Sequence, residues 1–187
     1  MTETSALPNT SEQITEIKVS GVPNLYDDID SLVVISDIII IGTIDKALPV
    51  IRIEAVSLGL VSGETEYYKN VSSYQVRIEQ VFKGDFSAGE LFRVDRNGGL
   101  AEGIYENHVG MNYPVEGSTY LMFIDETGAT DKTDYFMYMF EGTFDGFSEI
   151  IDGKLYPQEN TSIFKTGMLV EDATAEIVSA LKTVNDK

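Results

Sequence analysis

The stretch IIIIGTI, residues 38–44, decides the class of fold. Every position except Gly42 is β-branched, which restricts χ1 and suits the pleated surface of a sheet. The run is too short for a buried helix of normal length and Gly42 interrupts it. It is therefore expected to be a strand buried on both faces or lining a barrel.

Upstream, Leu25, Ile29, Leu32 and Val33 fall on one face of a helix, and Asp27, Asp28 and Asp30 suit its start, where carboxylates accept from unpaired amides. Downstream, Val50–Leu60 alternates with Ile51, Ile53 and Ala55 on one face, then changes phase through Val56, Leu58 and Leu60, which calls for a bulge. Residues 62–73 are polar and turn-rich. Tyr74–Phe82 alternates again, with Tyr74, Val76 and Ile78 inward, and Lys83, Gly84 and Asp85 then turn the chain. Leu91–Asp95, Thr119–Ile124 and Tyr135–Phe140 are further strands, with an irregular segment expected from Leu100 to Gly117. Phe147–Tyr156 is a hairpin around Asp152 and Gly153, a pair that accepts the positive φ of a tight turn. Ala173, Ile177, Leu181 and Val184 form one stripe of a C-terminal helix that Asp172 is placed to cap. No segment repeats at a fixed period, so solenoids and propellers are excluded.

The pattern predicts a mostly β domain of about seven short strands with a helix before and a helix after. Strands that change phase part-way bend around corners, so a small OB-like Greek-key β-barrel is expected over residues 25–187, with a β-sandwich as the alternative. Residues 1–24, rich in Thr, Ser, Glu, Pro and Asn, are expected to be a flexible polar lead.

At 187 residues, one domain is expected. The chain holds 13 Lys and Arg against 31 Asp and Glu, a net charge of -18 that repels phosphate backbones, so no nucleic-acid partner is expected. It has no Cys and one His, His108, which excludes disulfides, thiol nucleophiles and multi-histidine metal sites. There is no G-x-x-x-x-G-K-[ST] loop, no G-x-G-x-x-G and no G-x-S-x-G elbow, and no cofactor is expected. The most apolar run, residues 32–41, is ten residues long and contains Ser36 and Asp37, short of the roughly 20 a membrane-spanning helix needs. The lead's composition is that of an exported or lipid-anchored bacterial protein after removal of its signal, with a frayed cytoplasmic terminus as the alternative.

The linear order SLVVISDIIIIGTI, then YQVRIEQVFKGDFSAGELFRV, then NGG, then GSTYLMFI resembles a group of exported bacterial cell-envelope proteins of unknown function with an OB-like barrel, distantly like the inhibitory domain of tissue inhibitors of metalloproteinases. The resemblance spans residues 28–184 and rests on turn residues: Lys83–Asp85, Gly89, Gly98, Gly99 and Gly117. It implies fold and location. In the inhibitors an N-terminal Cys ligates the target zinc, and this chain has none, so inhibition does not carry over.

The candidate site is the segment from Gly98 and Gly99 through Tyr105 and His108 to Tyr113. His108 beside Glu106 has the makings of a general base, and the tyrosines offer contact area for a sugar ring or a partner's pocket at low entropy cost. Glu102 with Glu106 is a candidate carboxylate pair for glycosidic chemistry. Asp125, Asp131 and Asp134 set oxygen ligands close together in a loop without the EF-hand spacing, a weak calcium candidate. The first expectation is a non-catalytic extracytoplasmic module contacting an envelope protein or glycan. The alternatives are a carboxylate-dependent hydrolase using His108 and a calcium-stabilised adhesion domain.

Overall fold

A computed structural model describes residues 14–19, 28–55, 67–108, 112–127, 137–140, 146–157 and 163–185. In chain order the elements are β1 (Thr15–Val19), α1 (Ile29–Ile35), β2 (Ile38–Ala47), β3 (Ile51–Ala55), β4 (Tyr67–Lys83), β5 (Leu91–Asn97), β6 (Gly99–Ala101), β7 (Ile104–His108), β8 (Thr119–Thr127), β9 (Met137–Phe140), β10 (Phe147–Ile151), β11 (Lys154–Pro157) and α2 (Val170–Asn185). The protein is mostly β with two helices, as the residue pattern predicts. Its strands number eleven among the described residues rather than about seven.

The larger sheet runs β11-β10-β8-β2-β4-β5-β9, with β3 on the first part of β4, and a smaller sheet runs β1-β7-β6. β2 lies at the centre because both its faces are apolar. Ile38, Ile40 and Ile44 enter one buried cluster and Ile39 and Ile41 the other. The chain bends there through register shifts against β4, one of them at Ile41/Gly42. Gly42 continues the strand instead of breaking it: a Cβ at this position would stand 2.7 Å from Val76 Cγ1 and 3.0 Å from the Arg77 carbonyl, so the strands approach closely where a side chain is missing.

The first cluster gathers Ile40, Tyr74, Val76, Val94, Met122 and Phe147, all from the larger sheet, which thus curls to cover its own inner face. The second lies between the outer face and the helices: Leu32 and Val33 of α1 and Ala173, Ile177 and Ala180 of α2 pack on Ile39, Leu121 and Phe123. Each large side chain so buried contributes about 1.5–3 kcal/mol.

The expected closed barrel is corrected here. β9 makes four residue pairs with β8 but meets β5 at one, Asp95↔Met139, and the sheet is not closed into a barrel. Closure needs a continuous staggered ladder around the circumference, and a four-residue strand does not supply it to both neighbours. A sandwich is not formed either, since the smaller sheet adds no side chain to either cluster.

Local signals in the sequence explain the ends of elements. Asp28 caps α1, its Oδ1 accepting from the Ser31 amide at 2.8 Å, and the backbone amide lowers the carboxyl's pKa. Asp27 and Leu25 lie outside the described residues. Lys83 closes the other end of α1 from a distance, donating to the carbonyls of Val33 (2.9 Å) and Ser36 (2.6 Å). α2 begins at Val170, so Asp172 sits in its first turn beside Glu171 rather than at the cap. Asp152 and Gly153 turn β10 into β11 with φ of 50° and 72°.

The segment expected to be irregular contains the hairpin of β6 and β7, turned by Glu102 and Gly103 at φ of 51° and 74°. Within the polar lead, Thr15–Val19 pairs in parallel with β7. Backbone pairing along an edge needs no apolar pattern, which is why composition gave no sign of this strand. The phase change expected at Val56–Leu60 lies outside the described residues. Among the described residues no helix is long and apolar enough to cross a membrane.

Candidate functional site

β4 and β5 pair from Arg77↔Leu91 to Val71↔Asn97, and toward the Asn97 end the pairs turn polar: Ser73↔Asp95, then Ser72↔Arg96. Gly98 and Gly99 redirect the chain there at φ of 100° and 104°, a region open to glycine. Space demands glycine as well. A Cβ on Gly98 would overlap the Tyr113 hydroxyl and come within 3.0 Å of His108 Cδ2, and one on Gly99 would overlap Ser72 Oγ. Gly98, His108 and Tyr113, chosen from sequence, therefore meet at one point. Gly99 adjoins them through Ser72, and Tyr105 lies on β7 opposite Leu100.

Beneath them is a buried polar cluster. Glu106, 5% exposed, accepts from His108 Nε2 at 2.9 Å on one oxygen and from the Asn70 amide at 2.8 Å on the other. Asn70, fully buried, donates from Nδ2 to the carbonyls of Gly99 and Ile104, both at 2.8 Å, and accepts from Arg52 at 3.0 Å. Asp95, also fully buried, accepts from Arg93 Nε on Oδ1 at 2.7 Å and from Arg93 Nη2 on Oδ2 at 3.0 Å. Burial holds the Lys69 ammonium below its ordinary range against the pull of Glu106 and Asp95. The carboxylates are thus engaged by donors and cations, the condition for burying them.

Tyr113 joins this cluster to a pocket. Its hydroxyl donates to the Glu106 carbonyl at 3.1 Å, while the residue lines a cavity of about 320 Å³ together with Tyr120, Phe147 and Tyr156, and with Asn112 and Glu149 as polar members. Burial raises the pKa of Tyr113 and Tyr120 and pushes Tyr74, whose ring belongs to the inner core, up to about 12. The Arg96 guanidinium stands over two of the pocket's rings, 5.2 Å from the Tyr113 centroid and 4.9 Å from that of Phe147.

The other candidates separate. Glu102 is exposed in a turn while Glu106 is buried, so they differ in environment as well as position. Asp125 is half-buried on β8 and paired opposite Met139, and Asp131 and Asp134 lie outside the described residues. Among the described residues no three His, Asp or Glu side chains are grouped to hold a metal ion.

Sequence reasoning missed Asn70, Arg96, Phe147 and Tyr156. Arg96 and Asn70 resemble ordinary strand-end polar residues, and Phe147 and Tyr156 resemble any alternating strand. The available signal was phase: Arg96 falls on the inward parity of Phe92 and Val94. Comparison with protein-family models, curated proteins and solved structures gave no match to this chain.

Proposed function

We propose that the protein is a non-catalytic extracytoplasmic binding module, held at a bacterial cell envelope, that takes a glycan unit in the pocket bounded by Tyr113, Tyr120, Phe147 and Tyr156. The observation that carries this reading is the pocket itself. Its volume of about 320 Å³ suits a small ligand: Tyr113 and Tyr156 keep exposed ring surface there, Tyr120 and Phe147 being almost wholly buried, and Asn112 and Glu149 add polar groups for the hydroxyl edge of a sugar. Tyr113 is held from behind by the Glu106 carbonyl and by Arg96, so little side-chain entropy remains to be lost on binding. The polar lead and the resemblance to exported proteins support the envelope location. An upstream signal sequence ending in a lipid-accepting Cys would agree with it.

The chain has no Trp and ten Tyr, three of which line the pocket, so the pocket's share of a change in tyrosine emission is read by comparison with Tyr156→Ala. Titration with a panel of neutral and acidic oligosaccharides is expected to give a saturable change for at least one of them, weakened about tenfold or more in Tyr156→Ala. A flat response across the panel at millimolar sugar would overturn the reading.

One observation favours a carboxylate-dependent hydrolase instead, the hydrogen bond from His108 to buried Glu106. Glu106, however, commits its second oxygen to Asn70, which suits a fixed structural acceptor better than a proton shuttle. Chromatography of the bound sugar after prolonged incubation separates the two, with an intact ligand expected.

A further inference from the structure

Resting on that pocket reading, we infer that the site selects a glycan unit bearing a free, positively charged amino group, with the Glu149 carboxylate as counter-charge beside the open ring of Tyr156. Glu149 lines the cavity itself and is the one charged side chain among the described residues that do so. Strand register fixes where it stands. On β10 it pairs with Tyr120 of β8 on one side and with Tyr156 of β11 on the other, and directly paired residues project from the same face of a sheet. The carboxylate thus lies between two tyrosines, one 3% and the other 38% exposed. Glu149 is half-buried, and among the described residues its carboxylate makes no hydrogen bond and no ion pair. Glu106 and Asp95 differ in this respect, being engaged by His108, Asn70 and Arg93.

A carboxylate in the wall repels an anionic sugar and leaves a hydroxyl or an ammonium as its donor. Three features favour the ammonium. A charge-assisted hydrogen bond is roughly twice as strong as a neutral one. The face of a tyrosine ring attracts a cation, and Tyr156 offers open ring surface next to the carboxylate. The net charge of -18 gathers cations and repels anions, so the distant field and the short-range contact act with the same sign. Arg96 opposes a cation at the other wall, since its guanidinium stands 5.2 and 4.9 Å from the ring centroids of Tyr113 and Phe147. The amino group therefore belongs at the Tyr156 side of the pocket rather than against Tyr113.

The test is calorimetric titration of the full chain with two short oligosaccharides of the same linkage, one of glucose and one of glucosamine, buffered below the pKa of the amine so that the pair exchanges a hydroxyl for an ammonium. Methylammonium chloride and lysine amide serve as cations from other sources. The wild type is expected to bind the amino sugar at least about tenfold tighter, with the glucose form still saturating at millimolar concentration. Glu149→Gln, which keeps the shape of the side chain, should level the pair. Should that variant fail to fold, added sodium chloride carries the test, since it should shrink the wild-type preference by screening the ion pair. Equal binding of the two sugars by the wild type, a preference unchanged in Glu149→Gln, or one indifferent to salt would overturn the inference while leaving the pocket reading intact. Binding of neither sugar would remove the pocket reading itself. Methylammonium or lysine amide competing as strongly as the amino sugar would overturn the glycan part.

Discussion

The helix-covered face of the sheet and the polar end of β4 and β5 are buried to similar degrees by opposite means. Over Ile39, Leu121 and Phe123 the helices exclude water with apolar side chains alone. Around Asn70, Asp95, Arg96 and Glu106 the same exclusion encloses hydrogen bonds and charge. The first arrangement is stabilised by area and is tolerant of detail. The second gains little net energy per bond and loses much when one partner is removed, so it is the costlier way to fill space. Where a chain accepts the less stable arrangement at one end of its sheet, a functional role there is the expected reason, and binding in the adjoining pocket is the role proposed above.

The contrast breaks most readily on the apolar side. Phe123 is fully buried with its ring stacked 5.8 Å from Phe164, and Phe123→Ala is expected to cost about 3–5 kcal/mol in urea unfolding without changing which sugars bind. At the polar end, Asn70→Ala strands the carbonyls of Gly99 and Ile104 and removes the Arg52 acceptor. A loss of about 2–3 kcal/mol is expected by the same assay, accompanied by weaker sugar binding because the Gly98 turn under Tyr113 loosens.

Alkaline pH sharpens the comparison. Tyr74 has its folded pKa raised by burial from 10.0 to about 12, so the stability it contributes is complete below pH 10 and is lost as pH climbs toward 12. Tyr113 and Tyr120 are shifted the same way. Thermal melts are expected to fall between pH 10 and 12, and less steeply in Tyr74→Phe. The smallest effect belongs to the β6–β7 turn. Glu102 adopts φ 51°, where Asn is at ease, and Glu102→Asn should raise stability by about 0.5 kcal/mol.

That turn also marks where reading residues stops short. The strand at Ile38, the alternation of Tyr74, Val76 and Ile78, the stripe of α2, the Asp28 cap and the Asp152–Gly153 hairpin all follow from local chemistry, and local chemistry is visible in one chain. Glu102–Gly103 takes the same positive φ values as Asp152–Gly153 with a residue that rarely does so, so its sequence carries no hairpin signal. Non-local facts were out of reach. Nothing near Lys83 announces that it closes α1, and nothing near Leu91 says that β9 gives β5 a single pair. The candidate site was found in part because Gly98, Gly99, His108 and Tyr113 are unusual where they stand. Asn70 and Arg96 are commonplace residues whose role comes from what the fold places around them.

The most direct measurement is residue-resolved NMR of the labelled protein titrated with an oligosaccharide that gives the saturable tyrosine response. Ring signals of Tyr113, Phe147 and Tyr156, which line the pocket, are predicted to shift together along one saturating curve, with the buried Phe123 and Phe164 rings unmoved. Shifts that saturate elsewhere on the surface, with those three rings unchanged, would contradict the account.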